Sequence, residues 1–69
     1  MELTDTQKLL IRGLRLFPIS EENQEAVFLF LFKSEEMMWE MIDFLAGDRN
    51  STEQQIMEKL ENILKKKAD

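Results

Sequence analysis

Three carboxylates, Glu36, Glu40 and Asp43, stand at i, i+4 and i+7, a spacing that aligns side chains along one face of a helix. Such a stripe invites a metal site or a pair of catalytic acids. Carboxylate metal bundles complete their ligand sets with Glu-x-x-His pairs, and the chain contains no His. Retaining glycosidases need two carboxyl groups about 5 Å apart across a sugar-sized cleft, and a chain of 69 residues can hardly enclose one. The stretch Asp48-Arg49-Asn50-Ser51-Thr52-Glu53 opens like a calcium loop, but that loop requires Gly at its sixth position and Glu at its twelfth. Glu53 and Lys59 occupy those positions, so the stretch reads as a turn between helices.

The residues that are missing exclude more. Without Cys or His there is no structural zinc site, thiol nucleophile, disulfide or Ser-His relay. Tyr is absent as well, and Gly13 and Gly47 are the only glycines, so no glycine-rich phosphate loop exists. The expectation is a non-enzymatic chain with no cofactor.

Lys8, Arg12 and Arg15 form a basic stripe at i, i+4 and i+7. It has the charge to touch phosphates, but the net charge of −5 repels a nucleic acid, and the ordinary fate of such a stripe is a solvated helix face. Charge is unevenly spread: +1 over residues 1–19, −6 over 20–46 and 0 over 47–69. The basic stripe and the acidic stripe of Glu36, Glu40 and Asp43 are therefore candidates for docking by charge, within a chain or between chains.

A third constellation is oily. Met37, Met38 and Trp39 sit close together, and Phe28, Phe30, Phe32 and Phe44 lie nearby. Methionines of this kind are most often core filler, yet Met-rich surfaces also adapt to partners. Apart from Met1 and the alanines, 26 large apolar side chains need cover. A domain this small buries only about 60% of its unfolded surface. Some of the aromatics are therefore expected to stay exposed, and these seven residues are the candidate interaction surface.

The elements that must position these groups read as four short helices. The first spans about Asp5 to Phe17, with Thr4 or Asp5 as N-cap, a capping box from Thr4 to Gln7, and Pro18 as the stop. Its apolar arc is Leu9, Leu10, Leu14, Leu16 and Phe17, and Gly13 falls inside it, which fits equally the close approach of another helix and a kink or early fraying before Pro18. The second starts at the Ser20 cap and contains the longest apolar run, Ala26 to Phe32. Periodicity alone does not separate buried helix from buried strand there. The uninterrupted run from the cap, and Pro18 in the only candidate partner strand, favour helix. The third opens at Ser34 and closes at Gly47, read as a left-handed C-terminal residue. The fourth follows a capping box of Ser51 and Gln54, carries the stripe Ile56, Met57, Leu60, Ile63 and Leu64, and ends on Lys65, Lys66 and Lys67.

The segment Glu36 to Ile56, EMMWEMIDFLAGDRNSTEQQI, resembles a helical hairpin found in short accessory proteins of bacterial phages and conjugative elements. The resemblance implies a regulatory or accessory role in a bacterial cell and carries over no functional residue.

The reading is a single all-α domain over residues 1–69, a small bundle of four short helices in which residues 5–33 cover a hairpin of 35–67. Its expected partners are a second copy, as a homodimer, or another protein. An acidic inhibitor of a basic surface and a small DNA-binding regulator are the alternatives. The acidic start at Glu2 and Asp5 differs from the basic start of a signal peptide. The apolar run of seven residues is far below the 20 or so of a membrane span. The expected location is the cytoplasm.

Overall fold

The computed structural model describes residues 2–68 and contains four helices: α1 (Asp5–Arg15), α2 (Glu21–Leu31), α3 (Glu35–Gly47) and α4 (Glu53–Ala68). Each of the first three begins where a hydroxyl or its partner satisfies orphan backbone donors. Thr4 Oγ1 accepts from Gln7 N at 3.1 Å, and the Gln7 side chain accepts from Thr4 N at 2.9 Å, closing a reciprocal box. Ser20 and Ser34 accept from Asn23 N and Met37 N in the same way. The apolar run Ala26–Phe32 is helical through Leu31, with Phe32 as C-cap.

Three local expectations need correction. α1 ends at Arg15 rather than Phe17, because the chain is already unwinding toward Pro18: Leu16 N and Phe17 N bond three residues back, to Gly13 O and Leu14 O. Gly47 is not left-handed, since no described residue has positive φ, and α3 is closed by Asp48 in an extended conformation. The capping box of α4 lies one residue later than expected. Thr52 Oγ1 accepts from Gln55 N at 3.2 Å and Gln55 Oε1 accepts from Thr52 N at 2.8 Å. Ser51 instead lies buried, its Oγ donating to Asp48 O at 3.0 Å.

α3 is the hub of the bundle, packing most extensively on α1, then on α4 and least on α2, which also meets α4. The core draws Leu10 and Leu14 from α1, Val27 and Leu31 from α2, and Met37, Met38, Met41 and Leu45 from α3. Ile56, Leu60 and Ile63 of α4, with Ile19 from the α1–α2 connection, complete it. The radius of gyration, 11.1 Å, matches the roughly 11 Å expected of a compact chain this long.

Polar side chains fasten the helices to one another. Thr6 is buried in the α1 seam one turn before Leu10, and its hydroxyl donates to Glu35 Oε1 at the start of α3. Glu53, the first residue of α4, reaches the start of α2: its Oε2 accepts from Ser20 N at 2.8 Å and from Asn23 Nδ2 at 2.7 Å. A carboxylate at the positive end of a helix dipole is well placed. The Ser20 backbone N–H, then the Asn23 side chain and the Ser20 hydroxyl, hold the Glu53 carboxyl below its ordinary pKa of 4.5. Lys66 Nζ lies 3.7 Å from Glu40 Oε1, and Lys59 Nζ sits 5.8 Å above the Phe44 ring, both joining α4 to α3.

Candidate interaction surface

The oily constellation is divided by the fold. Met37 and Met38 point into the core and are buried, so neither presents a contact surface on this chain. On α3 they lie on the same side as Met41 and Leu45, facing the other helices, which a broad apolar arc could not reveal in advance. Phe28 and Phe32 are half-buried and stack on each other with ring centroids 5.2 Å apart. Phe44 is half-buried beneath Lys59. Trp39 and Phe30 remain exposed, at 41% and 44%.

Other large apolar side chains are more exposed than either. Leu16 is 85% exposed, Leu29 67% and Leu9 45%. Leu9 and Leu16 were placed in the apolar arc of the first helix, but the buried seam of α1 is narrower than that arc. It runs through Thr6, Leu10 and Leu14 at successive i+4 steps, leaving Leu9 on its flank and Leu16 past the helix end. The signal was available in Pro18, which ends the helix early and leaves Leu16 as its exposed C-cap.

Between α1 and α3 the surface dips into a groove of about 460 Å³. Leu9, Gly13 and Leu16 form its α1 wall, Ile42, Leu45 and Ala46 its α3 wall, and Phe17 and Arg49 also line it. The packing here does not require a glycine at position 13: a Cβ there would meet Leu45 Cδ1 at 3.5 Å, an ordinary contact with a side chain. A second groove, of about 450 Å³, runs between α2 and α4. Ala26 and Phe30 line it on one side, Met57, Leu60 and Leu64 on the other, and Gln54, Glu58 and Glu61 supply its polar atoms.

The charged stripes do not meet as a simple pair. Lys8, Arg12 and Arg15 are all exposed on α1. On α3, Glu36 and Asp43 are exposed, while Glu40 is half-buried against Lys66, so the ion pair reaching the acidic stripe comes from α4. The side chain of Lys67 lies outside the described residues. No group of three or more His, Cys, Asp or Glu side chains is arranged to hold a metal among the described residues. No described helix is long and apolar enough to cross a membrane.

The accessible surface is 5009 Å². A folded monomer of 8.2 kDa is expected to expose only about 4,500 Å². The excess fits a chain whose large apolar residues are not all covered. Compared with protein families, with curated proteins and with solved structures, the chain matches none.

Proposed function

We propose that this protein is a non-enzymatic helical protein–protein interaction module that self-associates through exposed apolar side chains. The observation that carries the proposal is Leu9 and Leu16, uncovered on the wall of an apolar groove, on a molecule whose core is built by other residues. Exposed apolar patches of this kind mark association surfaces. Burying them contributes about 25 cal/mol for each Å² removed from water. Exposed ion pairs around the rim contribute about 0–1 kcal/mol each and would orient the contact more than hold it. A regulatory or accessory role in a bacterial cell rests on the resemblance of the Glu36–Ile56 segment to phage and conjugative-element hairpins.

Static light scattering at micromolar concentration tests the proposal. The native chain is expected to scatter as an oligomer, and Leu16→Lys as a monomer of unchanged helicity. Lys also brings a charge, so Leu16→Ala, which brings none, serves as the companion variant and is expected to weaken association through lost apolar area alone. A native chain that scatters as a monomer throughout would overturn the proposal.

The acidic-inhibitor reading would need Glu21, Glu22, Glu25, Glu35, Glu36, Glu40 and Asp43 on one surface. Glu35 bonds with Thr6 and Glu40 pairs with Lys66 within the chain, which weakens that reading. A DNA-binding regulator would set an acidic α3 and a net charge of −5 against a polyanion.

A further inference from the structure

The two apolar grooves differ in the charge that borders them, and the difference suggests how copies meet. The outer edge of α1 and its C-cap form a ridge: Leu9 and Arg12 on the helix and Leu16 at the αR cap follow one another at i, i+3 and i+7, all exposed. Lys8 and Arg15 flank it. The groove between α2 and α4 is apolar at its base and carries Glu58 and Glu61 at its edge, with Lys65 one turn after Glu61 offsetting part of that charge. The ridge and this groove belong to different helices and share no residue. An amphipathic helix laying i, i+3 and i+7 side chains into a hydrophobic groove is a general mode of recognition.

We propose that the α1 ridge of one copy docks into the α2–α4 groove of a second copy. Leu9 and Leu16 lie over Phe30, Met57 and Leu64 in that contact, and Arg12 and Arg15 face Glu58 and Glu61. The inference rests on the self-association proposed above and adds its geometry. The two surfaces are different, so the contact is head-to-tail, and each docked copy still offers a free ridge or a free groove. Assemblies therefore grow past the dimer as concentration rises, ending in a ring or an open chain. A standard interface covers about 800 Å² on each partner, roughly a sixth of the 5009 Å² surface, so one molecule has room for both contacts.

Charge reversal with mixing tests it. Arg12→Glu with Arg15→Glu makes both surfaces acidic, and Glu58→Lys with Glu61→Lys makes both basic. All four positions are exposed, and circular dichroism confirms the fold of each variant; should a double variant misfold, Arg12→Glu and Glu61→Lys alone replace it. In light scattering at low salt, each double variant is expected to self-associate at least about tenfold more weakly than the native chain. An equimolar mixture should recover the native behaviour, because each ridge again meets a groove of opposite sign. Native-like association of both separate variants would overturn the inference and leave self-association standing. Failure of the mixture to recover would show that ridge and groove do not pair through these charges and would overturn it equally. A native chain that never associates would remove the proposed function and this geometry together.

Discussion

Gly13 and Glu53 show how single positions carry more than their residue types suggest. Gly13 has a negative φ, and the space beside it admits a methyl group against Leu45. Gly in a helix interior costs about 0.5–1 kcal/mol relative to Ala. Gly13→Ala is therefore expected to stabilise the fold by about that amount and to raise Tm by about 2–8 °C, readable in a thermal melt. Glu53 is held in its charged form by the start of α2, so its folded pKa is lowered. Its contribution is present above the ordinary value of 4.5 and is lost as pH falls through the folded value. Glu53→Gln keeps an acceptor but not the charge. Urea titrations should find the variant less stable than the native chain at neutral pH, and the gap should close as the solution is taken below pH 4.5. A gap that persists unchanged in acid would show that the charge is not what matters. The role of Glu53 was not legible in the sequence, because it acts across 33 residues on Ser20 and periodicity speaks only of neighbours on one helix.

At the level of elements, local rules located every helix. Hydroxyl caps at Thr4, Ser20 and Ser34, a proline stop and an apolar stripe on α4 are short-range signals, and the structure follows them. Where two hydroxyls compete the same rules fail by one position. Ser51 and Thr52 each precede a glutamine by three, and only the tertiary fold, which buries Ser51 at the end of the turn, leaves Thr52 to cap α4. Losing a Thr cap costs about 1 kcal/mol. Thr52→Ala is expected to lower stability in urea by that amount, while Gln54→Ala, on an exposed face, should change it by less than about 0.5 kcal/mol. The reverse order would return the box to Ser51. Which side of each apolar arc is buried was harder to read. Met37 and Met38 went inward and Leu9 and Leu16 stayed out because α1 and α3 pack through narrow seams whose direction depends on both partners.

For the whole molecule, the apolar surplus visible in composition carries through to the surface, though through different residues. Phe28, Phe32 and Phe44 find partial cover from each other, the core or a lysine stem, whereas Leu9 and Leu16 at the α1 edge and Leu29 on α2 stay exposed. A domain this small has one thin core, and its remaining large side chains must face water or a partner. The rims are charged, so association should weaken as salt is raised past the point where the Debye length falls below about 8 Å. Sedimentation velocity over a dilution series tests the central claim most directly. The account predicts a weight-average mass above 8.2 kDa that climbs with concentration and falls back on dilution. A single boundary at 8.2 kDa across the whole series would contradict it.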